Sequence, residues 1–247
     1  MTAQPPALVG ISHGTSSEAG RRAVRGLHEA VARAIAMRHP DAPPSVRLGH
    51  VDVEQPDVPA TLALLEPGEP AVVVPLLLSA GYHVHVDLTE AVEAAASDRC
   101  VTLADALGPD DRLAQVLVRR LVEAGLRDDD QVVLAVAGSS DRRAVDDCHD
   151  MAGRLAATSG REVSIGFLSA AEPRLPDAVA AARANTATGA RVVVANYLLA
   201  PGYFDDLAHA AGADVTARPL LVADEPAPRE LVDLVLDRYA AASARLA

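Results

Sequence analysis

This chain is written twice. An apolar run closing in a small-residue turn, ALVGISHGTSS from Ala7, has the same form as QVVLAVAGSSD from Gln131, and Arg-Arg-Ala-Val follows each, at Arg21–Val24 and Arg142–Val145. GHVDVEQPDVP from Gly49 answers GFLSAAEPRLP from Gly166, Val72–Val74 answers Val192–Val194, and Gly81-Tyr82 answers Gly202-Tyr203. Order, residue type and spacing agree together, which marks a duplicated domain. The 247 residues accommodate two such domains, each near the lower end of the usual domain size.

Within each half, strands alternate with helices four times. The strands read as continuous apolar runs, Ala7 to Ile11, Ala71 to Leu78, Val132 to Val136 and Arg191 to Leu199, as expected when both faces of a sheet are covered. Between them Val24, Leu27, Val31 and Ile35 recur at helical spacing, as do Val145, Cys148, Ala152 and Leu155. The expected fold is therefore α/β, with two similar doubly wound parallel-sheet domains. The apolar period lapses over EAGLRDDD, so the break is expected at Gly125 to Asp130, with domains at 1–125 and 131–247.

Composition excludes several classes of function. A net charge of −12 argues against nucleic acid or an anionic membrane as partner. Every one of the 22 basic residues is arginine, so an anionic substrate must be held by guanidinium, backbone N–H groups or hydroxyls. With 2% aromatic residues and no tryptophan, a stacking platform for bases is not expected. Cys100 and Cys148 form no CxxC pair and read as small core residues. The longest apolar stretch, Ala71 to Gly81, is too short to cross a bilayer. The opening MTAQPPALVG has no basic flank before its apolar run, so a cytoplasmic protein is expected.

In an open parallel sheet, ligands bind beyond the carboxyl ends of the strands. Ser12-His13-Gly14-Thr15 follows the first strand and Gly81-Tyr82-His83 the third, so both histidines fall on one rim of the first domain. The Gly-Thr-Ser-Ser turn lacks the lysine of a phosphate loop and the glycine spacing of a dinucleotide site. Capping of the next helix by Ser16 or Ser17 accounts for it. If extended, His83-Val84-His85-Val86-Asp87 would place His83, His85 and Asp87 on one face, as a metal-dependent hydrolase requires. A helix start is preferred, because Gly81 ends the strand and Leu88, Val92 and Ala95 continue at helical spacing. Asp52 and Glu54, at the end of the second strand, either cap the following helix or put carboxylates beside the imidazoles.

SHGT after the first strand, the D-x-E-Q-P turn after the second, VVVPLLLSAGYHVHVDL after the third and the degraded second copy together resemble the sirohydrochlorin chelatase family of class II tetrapyrrole chelatases. The resemblance runs from about Ala7 to Ala241. It implies insertion of Fe²⁺, for siroheme, or Co²⁺, for cobalamin, into sirohydrochlorin without ATP, the metal being a substrate and no cofactor being permanently bound. It also implies that His13 and His83 act as proton acceptors and transient metal ligands. The family often has glutamate where Asp52 stands, which gives Asp52 an acidic role. Gly14, Thr15, Gly81 and Tyr82 fall on the substrate-binding turns.

The residue types suit that chemistry. Metallation removes two pyrrole protons and passes a divalent ion from water to four ring nitrogens. Imidazole, with a pKa of about 6.5 when unperturbed, accepts protons at neutral pH and binds iron or cobalt. A site that must release its metal needs few ligands, unlike a closed structural zinc shell. In the second repeat Ala137 stands opposite His13 and Phe204 opposite His83, so only the first domain is expected to be chemically competent. The second is expected to form the far wall of a substrate cleft, with Phe204 offering an apolar face or packing between domains. A duplicated chain is expected to be a monomer. Two other readings stay open: a hydrolase built on His83, His85 and Asp87, and a non-catalytic tetrapyrrole or metal carrier.

Overall fold

The computed structural model describes residues 5–79, 81–185 and 189–246, with the backbone alone at 82–85. The first repeat runs β1 (Ala7–Ser12), α1 (Glu18–Arg38), β2 (Val46–His50), α2 (Val58–Ala63), β3 (Ala71–Pro75), α3 (Tyr82–Ala95), β4 (Val101–Leu103) and α4 (Asp111–Glu123). The second runs β5 (Gln131–Val136), α5 (Arg142–Ser159), β6 (Val163–Phe167), α6 (Leu175–Ala184), β7 (Val192–Tyr197), α7 (Tyr203–His209), β8 (Val215–Thr216) and α8 (Arg229–Ser243). Each repeat contributes one four-stranded parallel sheet, ordered β2-β1-β3-β4 and β6-β5-β7-β8. The fold is thus α/β with two similar doubly wound sheets, as the repeat implied.

All residues of β1 and β3 are buried, and their side chains divide between two apolar layers. Ala7, Val9, Ile11, Ala71 and Val73 pack with Val58, Leu62 and Leu65 on the α2 side and with Leu88 of α3. On the other side α8 packs on β3, β4 and α1. Burying both faces of a strand removes the alternation of polar residues, which is why these segments read as unbroken apolar runs. β3 ends at Pro75, three residues before the apolar run does, although Leu76 N–H still donates to Ile11 O at 2.7 Å. Ladder register pairs Leu8 with Val72 and Val132 with Val193, so in space Val72 corresponds to Val193 and the valine triplets are offset by one residue.

The packed units and the sequence repeats are different divisions of the chain. One unit is Met1–Leu107 with Asp224–Ala247, and the other is Gly108–Ala223. The expected boundary at 125–130 is indeed a loop, yet α4, which precedes it, packs against α5 and β7 of the second unit. α8, from the second repeat, belongs to the first unit. The two exchanged helices are fastened alike. Arg120 of α4 donates from Nη2 to Leu220 O at 3.0 Å, and Arg238 of α8 donates to Leu107 O at 3.1 Å and to Ala106 O at 2.8 Å. Apolar periodicity specifies which face of a helix is buried and not which sheet buries it, so a boundary drawn from the repeat misses the exchange.

Cys148 is buried, as expected, and burial pushes its thiol up to about 11. Cys100 is exposed, against expectation, because it lies in the turn that precedes β4. Among the described residues no helix is long and apolar enough to cross a membrane.

Candidate functional site

Three loops gather at the carboxyl end of the first sheet: residues 13–17 after β1, 51–57 after β2 and 76–79 after β3. Because β1 lies between β2 and β3, the chain leaves it first to one side and later to the other. The loops after β1 and β3 therefore flank the topological switch point, where open α/β sheets bind ligands. His13 is the first residue beyond β1 and is exposed. Gly81 is the N-cap of α3, and Tyr82, His83, Val84 and His85 open that helix. The backbone thus places the positions of both histidines after neighbouring strands, while the side chains of Tyr82, His83 and His85 lie outside the described residues. Since α3 is helical from Tyr82, residues 83, 85 and 87 do not share one face as they would in a strand. Among the described residues no group of three or more His, Cys, Asp or Glu is placed to hold a metal ion.

The turns after β1 and β2 are stitched together by their backbones. Val51 N–H donates to Ser12 O and Asp52 N–H to His13 O, each at 2.9 Å. Gly14 makes this approach possible: its φ is +93°, and a Cβ there would lie 1.9 Å from Asp52 O. The Asp52 side chain is exposed and its Oδ1 accepts from Val53 N–H at 2.7 Å, bracing a residue whose φ is +65°. Neither Asp52 nor Glu54 caps α2; Asp57 does so, accepting from Ala60 N–H at 2.9 Å. Ser17 caps α1, accepting from Gly20 N–H at 3.3 Å.

Behind the His13 turn lies a set of polar side chains that the sequence reading did not connect. Ser12 Oγ and His50 Nδ1 are hydrogen-bonded at 2.8 Å, with both residues buried. His50 Nδ1 is 3.8 Å from Glu54 Oε1. Glu54 Oε1 accepts from Thr15 N–H at 2.9 Å, and Arg21 Nε lies 3.3 Å from Glu54 Oε2 while donating to Thr15 O at 3.0 Å. The Thr15 hydroxyl accepts from Ser17 N–H at 3.1 Å. Burial lowers the pKa of His50, opposed by the Glu54 carboxylate and reinforced by the Arg21 guanidinium. The ring is therefore neutral at neutral pH.

The second unit repeats the backbone and has other side chains in place of Ser12, His50 and Glu54, while Ser139 keeps the part of the Thr15 hydroxyl, accepting from Asp141 N–H at 3.0 Å. Gly138 has φ +91°, and a Cβ there would lie 1.9 Å from Ser169 O. Leu168 N–H donates to Val136 O and Ser169 N–H to Ala137 O, each at 2.9 Å. Ala137 thus occupies the place of His13, and Val136, Phe167 and Ala171 those of Ser12, His50 and Glu54. Gly202 caps α7 as Gly81 caps α3, and Phe204 occupies the place of His83. Phe204 is partly buried and packs on the core of its own unit, with its ring 5.7 Å from that of Tyr203, which is the exposed member of the pair. At the end of β7, buried Asn196 donates from Nδ2 to Asp205 Oδ1 at 2.7 Å, and burial raises the Asp205 pKa.

A model of the CbiX family matches residues 7–124 and matches again over 131–222. SirB from Bacillus subtilis with Fe³⁺ superposes with a TM-score of 0.76 at 19% identity, covering 97% of this chain and 96% of that one. The sirohydrochlorin chelatase SirB from Bacillus subtilis subspecies spizizenii in complex with cobalt gives 0.72 at 17% identity, covering 97% and 95%. CbiX, the terminal enzyme for biosynthesis of siroheme in denitrifying bacteria, gives 0.62 at 16% identity, covering 94% and 98%. Among curated proteins nothing matches.

Proposed function

The chain belongs to the CbiX family, and from that premise we propose that it is a sirohydrochlorin chelatase, inserting Fe²⁺ or Co²⁺ into the macrocycle without ATP. The observation that carries this reading is the asymmetry between the two rims. The family model is matched by both repeats, and only the first keeps imidazoles after its first and third strands, the second having Ala137 and Phe204. Alanine and phenylalanine can take neither a proton nor a metal ion. A rim kept for its fold alone would not need to differ in these two positions.

In the proposed reaction four ring nitrogens replace the metal's aqueous ligands, and the two inner N–H protons leave as the metal enters. His13, exposed on the switch-point turn, and His83, opening α3, accept those protons and hold the incoming ion in transit. Asp52, exposed beside His13, supplies an acidic group at the same rim. Gly14 and Thr15 shape the first turn, and Gly81 and Tyr82 the second, against which the macrocycle docks. A carboxylated substrate also needs cationic partners, which in this lysine-free chain are arginines. A chain that already carries two copies of the fold needs no second molecule to supply one, so the working form is a monomer.

The test is to follow the absorption spectrum of sirohydrochlorin with Fe²⁺ or Co²⁺ in the presence of the protein. Metallation well above the rate without protein is expected. His13→Ala and His83→Ala should each lower it on the order of 10²–10⁴-fold, the usual contribution of a general base. Binding of the macrocycle with no rate above background would make the protein a carrier. A loss in His85→Ala as deep as in His83→Ala would favour a hydrolase-like metal set.

A further inference from the structure

The two units of this chain are an internal control for what the rim needs in order to fold. Both have a positive-φ glycine pressed on a facing carbonyl, and both join the first turn to the second through equivalent backbone hydrogen bonds. In the second unit the space behind the turn holds Val136 and Phe167, both buried, and Ala171 stands where Glu54 reaches across. There the turn keeps the same geometry without the polar set, with its own side-chain hydrogen bond from Ser169 Oγ to Ala137 O at 2.8 Å. The first unit instead buries Ser12 and His50 and sets a carboxylate on the Thr15 N–H. These polar groups are hydrogen-bonded, as their burial demands, and the second unit shows that the backbone stitch forms without them.

The polar set lies at the turn that carries His13. Glu54 makes a link absent from the second unit: one carboxylate oxygen accepts from Thr15 N–H, two residues beyond His13, while the other faces Arg21, which also holds Thr15 O. His50, hydrogen-bonded to Ser12 just before His13, stands beside that carboxylate. His13 is thus bracketed by two side-chain anchors, one at the residue before it and one at the second residue after it. The Glu54 side chain is 14% exposed and its oxygens are engaged within the turn, which suits a group that acts through the turn rather than on the macrocycle.

We infer that Glu54, backed by His50, Ser12 and Arg21, is a positioning residue that fixes the His13 turn for metallation. The inference rests on the chelatase reading for its effect on rate, and on geometry alone for its effect on the turn. A misplacement of about 1 Å at a reacting group costs on the order of 10²-fold in rate, so losing this anchor should act on kcat and leave KM nearly unchanged.

The experiment compares the wild type with Glu54→Ala, Glu54→Gln and the combined Ser12→Val, His50→Phe, Glu54→Ala variant, which writes the second unit's residues into the first. Metallation kcat and KM are measured with sirohydrochlorin and Co²⁺, together with hydrogen exchange at the Thr15 amide. Glu54→Ala should speed Thr15 exchange and lower kcat by about 10²-fold with KM within twofold. Glu54→Gln should recover part of both, since its amide oxygen can still accept from Thr15 N–H. The combined variant should fold and behave as Glu54→Ala does. Unchanged Thr15 exchange in Glu54→Ala, a loss expressed in KM, or a glutamine variant no better than the alanine one would overturn the inference. If the wild type does not metallate, the chelatase reading fails, and Thr15 exchange still decides whether Glu54 holds the turn. Should the combined variant not fold, the two single variants decide the outcome.

Discussion

Gly14 is fixed by two constraints that act together. Its φ of +93° disfavours any L side chain, and the Asp52 carbonyl occupies the space that a Cβ would fill. Gly14→Ala must therefore move the His13 turn away from the Asp52 turn, and strain at such a position costs on the order of 1–3 kcal/mol. Gly138 meets the same two constraints against Ser169. The expected result is a similar fall in melting temperature for Gly14→Ala and Gly138→Ala, with the metallation rate falling far more in the first. Equal losses of rate in the two variants would mean that both rims take part. The sequence shows Gly14 as a turn residue, but its partner is 38 positions away along the chain, and such a contact leaves no local mark. His50 and Glu54 left a readable one. GHVDVEQP set beside GFLSAAEP places histidine opposite phenylalanine and glutamate opposite alanine, two polar-for-apolar differences in a duplicated turn.

At the scale of elements, the starts of β5 and β7 are joined by an ion pair. Asp130 accepts from Arg191 Nη2 at 2.6 Å and from Arg191 Nε at 3.1 Å, and its carboxylate also accepts from Arg127 N–H at 2.8 Å. The hydrogen bond from Arg191, against the opposing effect of burial, brings the Asp130 pKa down to about 2. Below its unfolded value a carboxyl with a depressed folded pKa binds more protons in the unfolded chain. Its contribution is therefore complete above about pH 4 and is lost as the pH falls through about 2. That contribution is on the order of 2 kcal/mol. Asp130→Asn should lower the unfolding free energy at pH 7 by about that amount, and the two stability curves should converge as pH approaches 2. Parallel curves down to that pH would show that the ion pair contributes nothing. Element order was legible because apolar runs and helical periods are local properties. The helical start at Tyr82 followed from Gly81 and the downstream spacing, and it dissolved the His-x-His face that an extended segment would have made.

The whole molecule departs from its sequence at the last helix of each repeat. α8 buries Leu231, Leu234, Val235, Leu236 and Tyr239 in the first unit, and the Tyr239 hydroxyl donates to Pro6 O at 2.6 Å. α4 buries Leu113, Val116, Leu117 and Leu121 in the second. Each fully buried aliphatic side chain contributes about 1.5–3 kcal/mol, so what either helix buries is comparable to the net stability of an ordinary small domain. A fragment of residues 1–125 would hold the first sheet without α8 and carry α4 with nothing of its own unit to cover it. It is expected to be unfolded or aggregated by circular dichroism and light scattering. Residues 108–223, by contrast, contain the whole of one packed unit and should show a cooperative thermal transition. Mixing 1–125 with 131–247 should restore native-like exchange protection, because each piece carries the helix that the other's sheet buries. If 1–125 folds alone as well as 108–223 does, the packed units follow the sequence repeats after all, and the exchange of α4 and α8 adds no stability.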